Sequence, residues 1–441
     1  MSKPHKRRGN PDFRRFVTPP APSTEALEQR LIDWLTPGTF ANLKSINDHG
    51  RQLRDRTLTL SVMAALVVSL VYRQVRYLSD IVRLLEQAGL LWVPAQSVTK
   101  QAVSERLRTL PAALFMEMFE HVVSRMPARP HSTVPGADQS VSERFSAIWI
   151  ADGSTMSRLQ RRLGQHQSFQ SNPLAGKIMM VVEAFSHRPV KVWHDDNPQR
   201  SDMSWSDELT AQLPVGGLLI VDMGFFAFPW FDAMTTAKKS FLTRLKQKVN
   251  YQVVRGLSSG PCYRDEIITM GLNRHHPCEH PVRLVSVLWG KTWYRYLTNV
   301  LDPEVLSAQQ VCDLYRRRWR IEEAFLLTKR LLGLAYLWVG GNNGIKIQIY
   351  ATWTFYAVLN DLCAEVAMAL NQPIELISVE MVFRSLYHYA HAKQRDQETE
   401  LIPFLVKFHQ SFGLIKAKRK QRRQKQARSI DIWEQAPILF G

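Results

Sequence analysis

Two short apolar runs, Ile148-Trp149-Ile150-Ala151 and Leu218-Leu219-Ile220-Val221, each stop at an aspartate, Asp152 and Asp222. A run without polar alternation reads as a strand covered on both faces, and such strands lie inside a sheet, with layers packed above and below. Both carboxylates then fall at strand ends, where neighbouring strands would bring them to one edge of the sheet. Carboxylate oxygens converging there are hard ligands of the kind Mg²⁺ takes. Two ions so held would stabilise the attacking and leaving oxygens of a phosphodiester displacement. Taken singly, an aspartate after a strand is more often a turn or cap residue.

The two runs belong to a longer α/β pattern. Strand-like segments fall at 145–151, 177–185, 190–193, 217–221, 240–245, 283–288 and 293–298. Helical periodicity covers 24–126, where Pro111 opens a helix through Phe115, Met118, Phe119 and Val122. It returns over 307–332 and 345–370. Residues 127–139, with three prolines and a glycine, read as a linker.

The helix over 307–332 supplies a third carboxylate. Arg318, Glu322 and Lys329 follow Tyr315 at offsets of 3, 7 and 14, which places all four within an arc of about 60°. Leu314, Ile321, Phe325 and Leu332 form a neighbouring apolar stripe suited to packing on the sheet. A carboxylate flanked by a phenol and two cations suits a phosphate-bearing ligand, with arginine as a fork and lysine as a point charge. The other reading is a surface helix in which Arg318 is the local ion partner of Glu322. Glu323 points about 100° away from this edge.

Charge narrows the classes of partner. Fifty-seven Lys and Arg against 39 Asp and Glu give a formal net charge of +18, which draws a polyanion such as DNA, RNA or an anionic membrane surface. The apolar stretch 60–72 is too short for a bilayer, so no membrane partner is expected. The basic start, 1–15, lacks the apolar core of a secretory signal, which points to the cytoplasm. Four cysteines make no disulfide framework, and no glycine-rich loop suggests a nucleotide cofactor. Residues 79–110 fit a helix-turn-helix or two ordinary packed helices. The second of these helices carries Lys100, Gln101, Ser104, Arg106 and Arg108. His275, His276, Cys278 and His280 match no common zinc spacing. His194-Asp195-Asp196 reads as a solvated loop after a strand, or as a source of a metal ligand. The eight basic residues within 416–428 suit a DNA-contacting tail or a solvated helix end equally.

Tyr315, two residues, Arg318, three residues, Glu322, six residues and Lys329 resemble the signature of the insertion sequence four family of DDE transposases. The Arg318-Trp319-x-Ile321-Glu322 core looks like that family too. Asp152-Gly153-Ser154-Thr155 and Asp222-Met223-Gly224-Phe225 are similar to its first two motifs. Phe241–Lys246 and Tyr296–Asn299 resemble segments between its second and third carboxylates. The likeness covers roughly 145–335. It implies an RNase H-like mixed sheet interrupted by a β-rich insertion, with Asp152, Asp222 and Glu322 as catalytic and metal-binding residues. Two Mg²⁺ would be the cofactor, with Mn²⁺ able to stand in. Tyr315, Arg318 and Lys329 would grip phosphates near the element end. Trp289 and Trp293 are candidates for stacking a flipped base, as some relatives do, although both also suit the core of a sheet. DNA terminal inverted repeats and target DNA would be the substrates, moved by cut-and-paste through a hairpin intermediate on a homodimer associated with the nucleoid. The implied units are a basic N-terminus (1–23), a helical, candidate DNA-binding domain (24–130), a catalytic core in two parts (141–224 and 292–370) around an insertion (225–291), and a helical, basic C-terminal region (371–441). A metal-dependent nuclease that does not join strands, and a DNA-binding protein derived from a transposase, fit the same residues.

Overall fold

The computed structural model describes residues 25–35, 57–75, 77–126, 140–155, 176–272, 276–330, 341–395, 400–416 and 438–439, together with Leu332, Leu334 and Trp338. The basic N-terminus, the linker and all of the C-terminal basic run except Lys416 lie outside these residues.

Ten strands form one mixed sheet. They are β1 (Ile148–Thr155), β2 (Lys177–Glu183), β3 (Pro189–Asp195), β4 (Leu218–Ile220), β5 (Ser240–Arg244), β6 (Tyr251–Gly260), β7 (Tyr263–Met270), β8 (Val282–Trp289), β9 (Thr292–Thr298) and β10 (Ile438–Leu439). Their order across the sheet is β10-β6-β7-β8-β9-β5-β4-β1-β2-β3. β1, β4 and β5 run parallel at its centre, and β2, β3 and β6 to β9 pair antiparallel on either side. The strands after β5 thus continue the same sheet as β1.

Alternation along the central strands divides the core in two. Ile148, Ile150, Leu218, Ile220 and Leu242 face the larger layer, which is helical. Ala151, Leu219, Val221 and Phe241 face a smaller layer containing Trp205, Phe225, Trp230 and Phe231. The larger layer holds α1 (Glu25–Trp34), α2 (Leu60–Tyr72), α3 (Leu78–Ala88), α4 (Lys100–Thr109) and α5 (Ala113–Arg125). The smaller one holds α6 (Ser206–Gln212) and α7 (Phe228–Thr236). Beyond the sheet come α8 (Ala308–Arg317), α9 (Trp319–Arg330), α10 (Asn342–Ala369), α11 (Val379–Gln394) and α12 (Leu401–Lys407). α10 is buried over most of its length, from Ile345 to Cys363, because other helices surround it. Among the described residues, no helix is long and apolar enough to cross a membrane.

Two local results differ from the sequence reading. The helix expected over 307–332 is two helices, α8 and α9, parted at Arg318. There Arg318 N donates to Tyr315 O (3.1 Å) and Ile321 N to Arg318 O (3.2 Å), the tighter three-residue pattern. The candidate helix-turn-helix exists as α3 and α4, with Thr99 capping α4 through Ala102 N (3.1 Å). Its connection, 89–99, is longer than the three or four residues of the compact motif.

Candidate functional site

The register of the central strands decides where the two aspartates lie. β1 and β4 are parallel, with Ile150 opposite Ile220. Asp152 and Asp222, each two residues further on, therefore sit side by side, Asp222 just past the carboxyl end of β4 and Asp152 still inside β1, which runs on along β2 to Thr155 instead of stopping at the aspartate. Ligands in open α/β sheets bind at such ends. Asp152 Oδ1 accepts from the backbone of Gly153 (2.9 Å). Asp222 caps the short 3₁₀ turn Met223–Phe225, its Oδ1 accepting from Gly224 N at 2.7 Å. Its carbonyl accepts from the Thr243 hydroxyl (3.0 Å), which ties this corner to β5.

α9 brings the third carboxylate. Arg318 Nη1 donates to Asp152 Oδ2 at 2.9 Å, and Nη2 reaches Glu322 Oε1 at 3.4 Å. Glu322 thus joins the aspartates through a guanidinium, and its own side chain is 45% exposed. Lys329 Nζ, two turns further along, donates to Ser154 Oγ (2.5 Å) and Thr155 O (3.0 Å) at the end of β1. The two cations flank the carboxylates as the helical arc predicts, despite the break at Arg318. Glu323 points elsewhere, to Arg320 (3.3 Å) and Lys416 (2.7 Å).

The remaining expected residues are placed differently. Tyr315 is buried, its ring 5.2 Å from that of Tyr296, with the Arg318 guanidinium 5.8 Å from its centroid. Trp289 and Trp293 flank the turn between β8 and β9. Trp289 packs partly on the core under Arg316 (5.6 Å). Trp293 is more exposed, beside Arg264 (5.6 Å).

Electrostatics single out Asp152. Burial pushes its carboxyl up to about 7, the negative charges of Asp222 and Asp202 add to the rise, and Arg318 opposes it. Arg318 Nε is buried without a hydrogen-bond partner. Buried polar atoms in folded proteins are nearly always satisfied, so this donor is one a ligand oxygen could use. The donor set, hard carboxylates of which the buried Asp152 keeps its proton up toward neutrality, is of the type a divalent cation takes, and an ion would take the proton's place. The acids stand wider apart than 4.8 Å as a group of three, so binding would draw them together.

Asp202 was not singled out in the sequence. It opens the 3₁₀ turn Asp202–Trp205 after β3, with Oδ1 2.7 Å from Lys177 Nζ. No apolar run precedes it, and its nearness to Asp152 comes only from the return of the segment after β3 past β2 toward β1. The tract His194-Asp195-Asp196 fastens a loop. Asp195 accepts from Asn197 N (2.7 Å) and Arg200 (2.8 Å), and Asp196 from Asn342 (3.1 Å). Among the described residues, one group of three metal-ligating side chains, Asp232, Glu279 and His280, has its donor atoms within 4.8 Å of one another. Asp232 already accepts from Glu279 N (3.1 Å), His280 N (3.0 Å) and Cys278 Sγ (3.4 Å), and so clasps this turn to α7. His276 is exposed, and His275 lies outside the described residues.

Residues 147–356 match the family model of the transposase DDE domain. The matched DDE domain contains Asp152, Asp222, Glu322 and the sheet that positions them. A putative transposase, y4zB, of Sinorhizobium fredii is 26% identical over 190 residues, 40% of this chain and 51% of that protein. The probable transposase for insertion sequence element IS5377 of Geobacillus stearothermophilus is 22% identical over 166 residues, 36% of this chain and 43% of its own length. The chain spans about half the length of the curated relatives it matches. A solved piggyBac transposase synaptic complex with hairpin DNA aligns over 95% of this chain and 91% of its own. It does so at 11% identity and a TM-score of 0.42, too loose a superposition to bear on the fold.

Proposed function

We propose that the chain is a DNA transposase that cleaves at the terminal inverted repeats of an insertion sequence and joins the freed ends to target DNA by cut-and-paste. One observation carries the reading: the parallel register of β1 and β4 aligns Asp152 with Asp222, beside α9 with Glu322 and Lys329 and the Arg318 that precedes it. The order β3-β2-β1-β4-β5, with β2 antiparallel to its neighbours, supports an RNase H-like core. On this view β5, which lies within 225–291, belongs to that core, and the β-rich insertion would begin after it, with β6 to β8.

Asp152, Asp222 and Glu322 would hold two Mg²⁺, with Mn²⁺ able to substitute. Ions so held make the attacking oxygen nucleophilic and neutralise charge on the leaving oxygen. Asp152 must release its proton before it can serve as a ligand. Arg318, with its free Nε and forked Nη atoms, would bind a phosphate beside the scissile bond, and Lys329 a second one. Tyr315, under the Arg318 guanidinium, would set the height of that fork. Trp293 and Trp289, at the turn between β8 and β9, would stack an unpaired base. The net charge of +18 supports DNA as the partner. A homodimer would bring two element ends together.

Cleavage of DNA carrying the native element ends tests the reading, run with Mg²⁺, with EDTA and with Asp152→Ala. Nicks at the element boundary that need Mg²⁺, lost by about 10³-fold or more in the variant, are expected. A folded, end-binding protein that never cuts would overturn it. Adding a target duplex separates joining from cutting alone.

A further inference from the structure

We propose that Asp202 is a fourth carboxylate of the cation centre, binding the divalent ion on the side of Asp222. This rests on the reading of Asp152 and Asp222 as cation ligands and extends the set they form.

Asp202 reaches the strand ends through space left by two glycines. A Cβ on Gly153, the residue after Asp152, would stand 1.9 Å from Asp202 Oδ1 and 2.9 Å from its Cγ. A Cβ on Gly224, two residues after Asp222, would stand 2.8 Å from Asp222 Oδ1 and 3.3 Å from Asp202 Oδ2. One oxygen of each aspartate therefore borders the same small space. A side chain at Gly153 would push Asp202 away from β1, and one at Gly224 would crowd Asp222 first and Asp202 slightly. Both positions follow an aspartate of the centre closely, so the two motifs hold glycine where the incoming carboxylate needs room.

The bonding of Asp202 is also incomplete. Its Oδ1 is buried and makes no hydrogen bond of good geometry. Its ionic partner is the Lys177 ammonium at 2.7 Å, which already donates to Arg200 O at 2.8 Å. With all four acids ionised, Asp152, Asp202, Asp222 and Glu322 outnumber the cations beside them, Arg318, Lys177 and Lys329, so negative charge stays uncompensated. Lys177 then acts as the counter-ion of Asp202 while no metal is bound, and competes with the metal for Oδ1.

A mere fastening of the loop to β2 would need the pair intact and predicts something different. Mn²⁺ is titrated into the full-length protein without DNA, with free ion read by electron paramagnetic resonance and folding checked by thermal unfolding. Asp202→Asn, nearly isosteric, is expected to bind Mn²⁺ at least about tenfold more weakly with the unfolding temperature retained. Lys177→Met, which removes the competitor, is expected to bind it as tightly as the natural chain or more so. Natural affinity in Asp202→Asn overturns the proposal, as does a loss in Lys177→Met as large as that in Asp202→Asn. If Asp202→Asn does not fold, the lysine variant decides alone, because lowered affinity there contradicts competition. Asp152→Asn runs alongside. If it too binds Mn²⁺ undiminished, the cation-site reading fails first and takes this proposal with it.

Discussion

Asp265 and Asp152, both strand residues, each meet an arginine, and the two meetings are built to opposite ends. Between β7 and β8, Arg283 grips Asp265 with two parallel bonds, Nε to Oδ1 at 2.7 Å and Nη2 to Oδ2 at 2.6 Å. Its third nitrogen donates to Leu306 O at 2.5 Å, and both side chains are almost wholly buried. At the end of β1, Arg318 reaches Asp152 with one nitrogen, stretches 3.4 Å to Glu322 with another and leaves Nε unpaired. A closed, bidentate pair has no capacity left for a ligand. An open pair beside two further carboxylates has both an unused donor and uncompensated charge. Pairing of the first kind holds β7 to β8 and to the loop before α8. Pairing of the second kind holds a place for something that arrives later.

The comparison breaks most readily through stability. Asp265→Ala leaves the Arg283 guanidinium buried without its counter-charge, and should cost about 3–5 kcal/mol in a denaturant unfolding experiment. Asp152→Asn should cost about 1 kcal/mol or less, because Arg318 keeps Glu322 and solvent as partners. Equal losses in the two variants would mean that the β1 pair is as structural as the β7 pair, and that the difference drawn between them is wrong.

Acidity gives the next effect. Asp152 titrates near 7 in the folded chain, against about 3.9 for an ordinary aspartate. Between these values the folded chain keeps a proton that the unfolded chain has released. Asp152 therefore makes the metal-free protein less stable as pH rises from about 4 to about 7. Cation binding must expel that proton, so Mn²⁺ affinity should rise roughly tenfold per pH unit up to about pH 7 and then level off. A flat profile from pH 5 to 7 would show Asp152 already ionised, with Arg318 a closed partner after all.

The sequence exposed the functional end of the sheet more fully than its far side, and for a physical reason. β1 and β4 are covered on both faces, so their residues are continuously apolar and the aspartates stand out as interruptions. β6 is largely exposed and its pairing with β7 is irregular at two places, so its sequence, with Arg255, Gly256 and two serines, carries no clean period. β7 begins Tyr-Arg-Asp-Glu, and its buried Asp265 reads as a surface residue until Arg283 is seen opposite. Arg318, Glu322 and Lys329 were legible because helical spacing is local and survives the break. Asp202 was not, since its place depends on how the segment after β3 returns past β2 to β1 and on the absence of a side chain at Gly153.

The smallest effect probes the open pair directly. Arg318 holds part of the charge that a divalent ion would hold, so the two compete for Asp152, and removing the guanidinium should help the ion. At alkaline pH, where Asp152 is ionised with or without the guanidinium, Arg318→Gln is expected to raise Mn²⁺ affinity in the absence of DNA by roughly threefold to tenfold, since a charge-assisted hydrogen bond of about 1.5–3 kcal/mol is only partly recovered by solvent. The same variant should bind end DNA more weakly, with a shallower salt dependence, because it loses one phosphate contact. The opposite signs give the test its force. An arginine that only braces α9 would lower both affinities when removed, and one that only binds DNA would leave Mn²⁺ affinity where it was. Only an arginine that passes from Asp152 to phosphate when the ion enters moves the two measurements apart.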